Sequence, residues 1–180
     1  WTTNSHTVSL DTKGGSKVDS QSVEHGKMAK NPAAPNLDGK VFMGWKENES
    51  DESYFDFTTP ITSDKTLIAI WQDSVQKIGE NDQVEKEFIK VTFIKGNHGT
   101  LSDGKNDGLD KVIYKVAKSY TIDQAKENGL FVPVIAPDKY YKVKAENQGW
   151  DKVVELSGQD VDFTAQYEPE ADVIPVDPEV

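Results

Sequence analysis

This 180-residue chain has no cysteine, three histidines and 31 aspartates and glutamates, and no catalytic motif arranges these side chains as a set. The absence of cysteine excludes disulfides, thiolate metal ligands and cysteine nucleophiles. The three histidines, His6, His25 and His98, form no H-E-x-x-H motif, so the pair of zinc ligands on one helical face is missing. His25 and His98 each precede a glycine, and we predict that both are solvent-exposed turn residues.

Two acidic stretches have side chains that attract cations. Calcium needs six to eight oxygens, and an EF-hand loop has Asp or Asn at its third position. In residues 103–110, DGKNDGLD, that position holds Lys105, whose ammonium group would oppose a cation. We therefore predict a turn in which Gly104 and Gly108 take positive φ, and a weak calcium site stays open as the alternative. Residues 47–53, ENESDES, are predicted to be a solvated loop.

Carboxylates are abundant, but they do not by themselves make an enzyme. A glycosidase needs only two carboxylates, yet it needs a cleft that raises the pKa of one of them. Domains of about 70 to 85 residues are too small to form such a cleft readily. The sequence also contains no G-x-S-x-G nucleophile motif, no P-loop and no dinucleotide-binding motif. We predict a protein that is not an enzyme, with no catalytic residues, no metal and no cofactor.

The composition restricts the partners and the size of the core. The formal net charge is −11 and all 20 basic residues are lysines, so the chain offers no basic patch for nucleic acid. No apolar run approaches the roughly 20 residues that cross a bilayer, so we predict no membrane insertion. Hydrophobic residues make up 36% of the sequence and mean hydropathy is −0.64. These values are low for one large core and favour two small domains.

Alternating apolar and polar residues predict short strands in the first 72 residues. In the last of these strands, Leu67, Ala69 and Trp71 share one face. Residues 13–16, KGGS, form a hairpin turn, because glycine supplies the positive φ that such turns need, and residues 29–39 form a proline-punctuated loop. The strand candidates are residues 6–12, 17–26, 40–46 and 65–72.

Residues 73–87 are charged and contain few apolar side chains, a composition typical of a linker. The spacing of Val75 and Ile78 leaves a short helix open as an alternative, although Gly79 would interrupt it. We predict a linker here.

Residues 88–168 combine further strands with one clear helix signal. Thr121 and Gln124 stand at capping-box spacing, and Gly129 lies where a helix terminus favours glycine. Pro133 and Pro137 keep their extended segment out of a central ladder. The strand candidates are residues 88–94, 109–118, 131–137, 139–150, 151–156 and 160–167.

The two halves of the chain repeat one order of features. In each half an alternating strand ends in a glycine turn, a Gly–Trp pair follows, and a last strand ends on an aromatic residue. Trp45 and Trp150 hold one equivalent place, and Trp71 and Tyr167 hold another. A tryptophan beside a glycine can be a platform for a sugar or a peptide, or it can fill a small core. The repeat favours a core position for Trp45 and Trp150.

The first half resembles a known repeat family. The ordered motifs VSLDTKGGSKVDSQSVEHG, GW and FDFTTPITSDKTLIAIW, within residues 6–72, are similar to the Listeria–Bacteroides repeat, the B-repeat type of internalin B and many Gram-positive surface proteins. The resemblance implies a small β-grasp-like fold that occurs in tandem copies, with no shared catalytic residues or cofactor. Residues 88–168 resemble a divergent relative that inserts the SDGKNDGLDK turn and a helix. The sequence DVIPVDPE, within residues 169–180, resembles the spacers between such repeats.

We therefore predict an α+β, mostly β chain with two small tandem β-grasp-like domains, residues 2–72 and 88–168. Residues 73–87 would be the linker between them, and residues 169–180 a linker rich in proline and acidic residues. The resemblance implies an extracellular location on a bacterial surface, with wall anchoring through regions outside this sequence. We expect a monomer whose neighbours are repeats of the same polypeptide.

Three functions are compatible with these features. The first is a stalk or spacer that holds a distal domain away from the cell wall. The second is an adhesion module that binds a host protein or glycan through strand edges or exposed aromatics, with Tyr140 and Tyr141 as candidates. The third is an ancillary part of a larger surface enzyme, such as a protease or a glycosidase.

Overall fold

The computed structural model describes residues 4–171, and the regular secondary structure in this range is mostly β-strand, with one α-helix. The mostly-β prediction is confirmed. The chain divides into two compact units, Trp1–Asp73 and Ser74–Val180, which are called unit 1 and unit 2 below.

Unit 1 is built on a four-stranded mixed sheet. Its strands are β1 (Ser5–Asp11), β2 (Gln21–Glu24), β3 (Lys40–Lys46) and β4 (Lys65–Asp73). The order across the sheet is β2-β1-β4-β3, with the two central strands parallel and the outer pairs antiparallel. Each strand falls within or close to a predicted strand, because alternation with period two reports which face of a sheet is buried.

One face of this sheet forms the core of unit 1. Leu67 and Ala69 are buried and Trp71 packs against them, as the alternation predicted. The buried residues are Val8, Val23, Ala29, Trp45, Ile61, Leu67 and Ala69. Seven buried side chains make a small core, so each large one contributes much of the stability of the unit.

A bulge in β3 places Trp45 on the core face. The pairing of β3 with β4 shifts between Phe42 and Gly44, where Gly44 has a φ of +143°. A Cβ atom on Gly44 would lie 2.6 Å from Cδ1 of Tyr54. Glycine is therefore required here because an aromatic ring, and not another backbone, covers the position.

Unit 2 has a second four-stranded mixed sheet and two small ribbons. Its strands are β5 (Val75–Ile78), β6 (Phe88–Ile94), β7 (Gly99–Ser102), β8 (Lys111–Ala117), β9 (Val134–Pro137), β10 (Tyr141–Val143), β11 (Val161–Thr164) and β12 (Tyr167–Pro169). The main sheet has the order β11-β6-β8-β5, with β11 parallel to β6 and the other pairs antiparallel. The ribbons pair β7 with β9 and β10 with β12.

The core of unit 2 is larger than that of unit 1. Phe93 stacks on Phe163, with ring centroids 5.4 Å apart, and meets Trp150 edge to face at 5.2 Å. The buried residues are Ile89, Val91, Phe93, Leu101, Val112, Tyr114, Val116, Ala125, Leu130, Trp150, Phe163 and Ala165.

The segment predicted as a linker, residues 73–87, contains strand β5. Val75 lies opposite Val116 and packs against the core of unit 2, and Ile78 lies opposite Ile113. Neither a structureless linker nor a short helix describes these four residues. The composition of the segment is polar because β5 is an edge strand, which needs only one apolar side and takes its remaining stability from backbone hydrogen bonds.

The predicted helix is confirmed as α1 (Ile122–Glu127). The Thr121 side chain accepts a hydrogen bond from the Gln124 backbone nitrogen, and the Gln124 side chain accepts one from the Thr121 nitrogen. Asn128 is the C-cap and Gly129 follows with a φ of +108°, as expected after a helix end.

Three further predictions of the sequence differ from the structure. Of residues 139–150, predicted as one strand, only Tyr141–Val143 form a strand, and Glu146–Gly149 form a 3₁₀ turn because Asn147 and Gln148 take positive φ. Residues 151–156, predicted as a strand, form no strand because they run as an irregular segment before β11. Their valines are not in a ladder: Val153 is 57% exposed. The predicted spacer 169–180 begins with the last residue of β12, and residues 172–180 lie outside the described part of the chain.

The two sheets share one pattern of pairing. Trp45 lies opposite Ala69 in an antiparallel pair, and Trp150 lies opposite Ala165 in an antiparallel bridge. Just before β4 in unit 1 and just before β11 in unit 2, an aspartate accepts a hydrogen bond from the backbone of β1 and of β6, respectively. The two bonds are Thr7 N to Asp64 Oδ1 and Lys90 N to Asp160 Oδ1, both 2.8 Å. Unit 2 therefore repeats these pairings of unit 1, although it contains inserted segments.

Candidate functional site

The two Gly–Trp pairs are core residues and not ligand platforms. Trp45 is 2% exposed and Trp150 is 3% exposed, so neither ring has a face that a sugar or a peptide could reach. Trp45 packs edge to face against Phe42, with ring centroids 5.3 Å apart. The Trp45 Nε1 atom is buried without a hydrogen-bond partner in the described part of the structure. The ring therefore contributes through its apolar area alone.

Trp150 reaches the core by a different backbone route from Trp45. It follows a tight 3₁₀ turn, Glu146–Gly149, in which Asn147, Gln148 and Gly149 all have positive φ. A Cβ atom on Gly149 would lie 2.1 Å from Cγ1 of Val143, so no larger residue fits. The polar sequence before Trp150 is thus the sequence of a turn, whereas the apolar sequence before Trp45 is that of a strand.

The terminal aromatic residues close each unit with a hydrogen bond. Trp71 Nε1 donates to the Thr12 carbonyl oxygen at 2.9 Å, and Tyr167 Oη donates to the Lys95 carbonyl oxygen at 2.5 Å. Thr12 directly follows β1, and Lys95 directly follows β6. Burial raises the pKa of Tyr167, so its hydroxyl remains a donor well into the alkaline range. We call these two contacts the aromatic latches.

Two of the histidines, His6 and His25, contact each other, and the third, His98, stacks on another ring. His6 Nε2 and His25 Nδ1 are 2.9 Å apart, which requires one ring to donate and the other to accept. His6 Nδ1 lies 3.7 Å from Asp64 Oδ1. His98 stacks on Tyr141 with centroids 3.8 Å apart and is half-buried. The prediction of an exposed turn residue is therefore right for His25 and wrong for His98, because the neighbouring ribbon covers the ring.

The acidic loop at residues 103–110 is organised around its first aspartate. Asp103 Oδ1 accepts hydrogen bonds from the backbone nitrogens of Lys105 at 3.0 Å and Asn106 at 2.7 Å, and Oδ2 accepts one from Lys77 Nζ. The Lys77 ammonium and these two amides hold the Asp103 pKa well below its ordinary value. Gly104 and Gly108 have positive φ, as predicted for a turn. No group of three or more metal-ligating side chains occurs within residues 4–171.

One concave surface of unit 2 carries exposed apolar side chains, and we call it the Phe131 groove. It encloses about 410 Å³ and is lined by Lys126, Leu130, Phe131, Val132, Asn147, Gln148, Val153 and Val154. Phe131 is 43% exposed and Val153 is 57% exposed, although both are large apolar residues. Exposed apolar side chains that converge on one concavity are typical of binding surfaces.

The local backbone explains how the groove forms. Leu130 N donates to Ala125 O at 2.9 Å and turns the chain inward just after α1, which leaves the next side chain, Phe131, on the outside. The Phe131 ring lies over Gly104, where a Cβ atom would be 3.5 Å from its Cζ. Asn147 and Gln148 also line the groove, in left-handed conformations that are uncommon for residues with side chains.

The groove offers apolar contact together with a few polar groups. The Asn147 and Gln148 amides each donate and accept hydrogen bonds, and Lys126 adds one positive charge. Such a set suits a sugar ring or an extended peptide. Sequence reasoning missed this groove because FVPVIAP indicates only an extended segment. Of the candidate aromatics, Tyr140 is 47% exposed and Tyr141 is stacked on His98.

A comparison with protein families shows which repeat family unit 1 matches. Residues 6–70 match the Listeria–Bacteroides repeat domain. The resemblance predicted from the motifs is thereby confirmed for unit 1. The match ends within β4, before the last three residues of that strand. His6 is the first matched residue, and Trp71 lies one residue beyond the match. The Phe131 groove lies outside the matched range.

Two similar proteins come from Evansella cellulosilytica. One, provisionally named a Gly-rich membrane protein, is 34% identical over 99 residues, which cover 51% of this chain and 12% of that protein. The other, provisionally named a membrane protein, is 38% identical over 72 residues, which cover 39% of this chain and 11% of that protein. The chain therefore matches only about a ninth of the length of these relatives. Within residues 4–171, no helix is long and apolar enough to cross a membrane.

Proposed function

We propose that this chain is a non-catalytic tandem-repeat segment of a bacterial cell-surface protein and that it acts as a spacer. The observation that carries the proposal is the match of residues 6–70 to the Listeria–Bacteroides repeat domain. Unit 2 supports the tandem arrangement because it repeats the Trp–Ala pairing and the aromatic latch of unit 1. The β-grasp-like description of both units, as two tandem domains, is part of this proposal.

The location in the cell envelope rests on the same comparisons. The relatives are much longer proteins with provisional membrane-protein names, and they share only a short stretch with this chain. A spacer of this kind is exposed outside the cell and is held there by regions of the polypeptide beyond the present sequence. A net charge of −11 keeps such a segment soluble and limits self-association.

The spacer role is tested in the complete surface protein. Replacing this segment by an unrelated folded spacer of equal length should leave whole-cell attachment by the rest of the protein unchanged. Deleting the segment without replacement should reduce attachment, because the distal region then lies nearer to the cell wall. Loss of attachment in the equal-length replacement would contradict the spacer role and favour direct binding by this segment.

The Phe131 groove favours a second candidate function, which is adhesion to a host protein or glycan. Phe131, Val153 and the adjacent amides provide the combination of apolar area and hydrogen-bonding groups that recognition of a peptide or a sugar requires. This role is compatible with the spacer role, since one unit can bind while both extend the protein.

Binding is tested with the purified 180-residue chain on arrays of host proteins and glycans. The F131S variant removes the apolar wall of the groove, and the Y140S variant removes an exposed aromatic that does not line it. Binding that is lost in F131S and kept in Y140S supports the groove as the adhesive surface. Absence of any signal for the unmodified chain would contradict adhesion, and equal loss in both variants would place the contact elsewhere.

A further inference from the structure

The two units differ in how many strands pair with one equivalent strand of the sheet, β2 in unit 1 and β8 in unit 2. In unit 2, β8 pairs with β6 on one side and with β5 on the other. In unit 1, the equivalent strand β2 pairs with β1 but is the outermost strand of its sheet. From this difference we infer that the outer edge of β2 is an acceptor site for an added strand of the β5 type. The inference does not depend on the spacer or adhesion roles.

The equivalence of β2 and β8 is established by their registers. In unit 1, Gln21 of β2 lies opposite Val8 of β1, and Val8 stands two residues before the central position Leu10. In unit 2, Tyr114 of β8 lies opposite Val91 of β6, and Val91 stands two residues before the central position Phe93. Counting along β2 and β8 from these pairs makes Val23 equivalent to Val116 and Glu24 equivalent to Ala117. Both valines are buried, at 7% and 0% exposure.

A backbone hydrogen bond just beyond the strands confirms this register. His25 N donates to Asn4 O at 2.7 Å in unit 1, and Lys118 N donates to Glu87 O at 2.9 Å in unit 2. Asn4 directly precedes β1, and Glu87 directly precedes β6. The correspondence between the two edges therefore extends over at least five consecutive residues.

The same bonds determine which amides of β2 point outward. Hydrogen-bonded and non-bonded pairs alternate along an antiparallel ladder, so the bond from His25 directs the Glu24 and Ser22 amides away from β1. In unit 2 the equivalent amide of Ala117 donates to Ser74 O at 2.7 Å, and Gln76 pairs with Lys115. Ser22 and Glu24 are both exposed.

The side chains beside the β2 edge leave room for an apolar residue. A groove of about 470 Å³ runs along the edge, lined by Gln21, Ser22, Val23, Glu24, Lys27, Met28 and Lys30. Met28 is 59% exposed within it. In unit 2 the residue opposite Val116 is Val75, which packs against the core. A valine opposite Val23 would cover the Met28 side chain in the same way.

These observations specify one occupant. It is an extended segment with the β5 pattern, apolar-polar-polar-apolar, that runs antiparallel to β2 and leads directly into unit 1 as β5 leads into unit 2. Backbone bonds to Ser22 and Glu24 would hold it, and its first apolar residue would contact Val23 and Met28. The consequence is that a connector of this type is a strand of the unit that follows it.

The test adds such a segment to the full chain. A copy of residues 74–86 replaces residues 1–3 and is joined to Asn4, which reproduces the spacing between β5 and β6. The matched control carries V75D and I78D in the copied segment only, so that length and connection are unchanged. Amide hydrogen exchange of Ser22 and Glu24 is measured in both chains and in the unmodified chain.

We expect exchange at Ser22 and Glu24 to slow at least about tenfold in the graft relative to its control, with a higher thermal midpoint for unit 1. Equal exchange in graft and control would overturn the inference. Concentration-dependent protection of these amides in the unmodified chain would also overturn it, because a second copy would then occupy the edge. If the graft fails to fold, a peptide of residues 73–80 added to the unmodified chain must shift the Ser22 and Glu24 amide resonances; unchanged resonances would overturn it as well.

Discussion

The indole nitrogen of Trp71 donates a hydrogen bond to the carbonyl oxygen of Thr12, 2.9 Å away. The bond ties the far end of β4 to the turn that follows β1, although 59 residues separate the two in sequence. Tyr167 makes the equivalent bond to Lys95 across 72 residues. A tryptophan and a tyrosine thus perform one structural task, since each carries a polar donor at the end of a large apolar ring.

The latches give the first prediction. Y167F removes only the hydroxyl that bonds to Lys95 O, so it should lower the free energy of unfolding of unit 2 by about 0.5–1.5 kcal/mol. Unit 1 should keep its unfolding midpoint, which two-phase chemical denaturation followed by NMR resolves. W71F is the complementary variant and should affect unit 1 alone. A change of both units in either variant would contradict the separate roles of the latches.

Trp45 gives the second prediction. W45A removes one of seven buried side chains of the unit 1 core and should destabilise that unit by about 3–5 kcal/mol, enough to unfold it at room temperature. W45F should cost distinctly less, because the Nε1 atom that it removes has no hydrogen-bond partner in the described structure. Urea unfolding monitored by NMR measures both. A folded W45A chain that had merely lost a ligand would show that Trp45 is a binding residue.

The close packing of Gly99, the first residue of β7, against the Tyr167 latch gives the third prediction. A Cβ atom on Gly99 would lie 2.5 Å from both Ala136 O and Tyr167 Oη, so G99A should destabilise unit 2 by about 1–3 kcal/mol through overpacking. G79A is the matched control in the same unit, since its nearest contact would be 3.4 Å from Asp82 and its φ is not left-handed. Thermal unfolding should separate the two variants; equal midpoints would contradict the close packing around Gly99.

Asp103 gives the fourth prediction, which concerns pH. Its pKa in the folded chain is lowered from 3.8 by Lys77 and by the Asn106 and Lys105 amides. A carboxyl whose folded pKa is depressed stabilises the fold above its unfolded pKa and loses that contribution as the pH falls toward the folded value. D103N should therefore destabilise unit 2 at pH 7, and the difference from the unmodified chain should shrink below about pH 3.8.

The control for this pH dependence lies in the same loop. Asp107 is exposed, and D107N makes the same change of charge. Urea midpoints measured between pH 7 and pH 3 should vary little between D107N and the unmodified chain. A pH-independent difference for D103N would contradict the contribution of the Asp103 carboxylate.

Local sequence was sufficient where a short-range interaction determines the structure. The capping box of Thr121 and Gln124 lies within four residues, and the sequence predicted the helix from it. The alternation of Leu67, Ala69 and Trp71 predicted the buried face of β4, because successive side chains of any strand point to opposite faces. The order of motifs over residues 6–72 predicted the repeat family that the comparison then matched over residues 6–70.

Where contacts with residues far away in the sequence determine the structure, the sequence was not sufficient to predict it. Residues 75–78 are polar enough to resemble a linker, and only the free edge of β8 makes them a strand. His98 is half-buried because Tyr141, 43 positions later, stacks on its ring. Phe131 is exposed because the chain turns Leu130 inward, and no pattern in FVPVIAP distinguishes these two residues. Local propensity cannot report such contacts, since their free energy arises only when segments far apart in sequence meet.

The sequence by itself determined that this protein is an acidic, cysteine-free, mostly β chain with a Listeria–Bacteroides repeat in its first unit and a related order of motifs in its second. The tertiary structure decided that both Gly–Trp pairs serve the core, that two different aromatics form the same latch, and that β5 completes one sheet while the β2 edge stays unpaired within residues 4–171. The physical reason is that burial and strand pairing are properties of the assembled sheet, whereas motif order and alternation are properties of the chain.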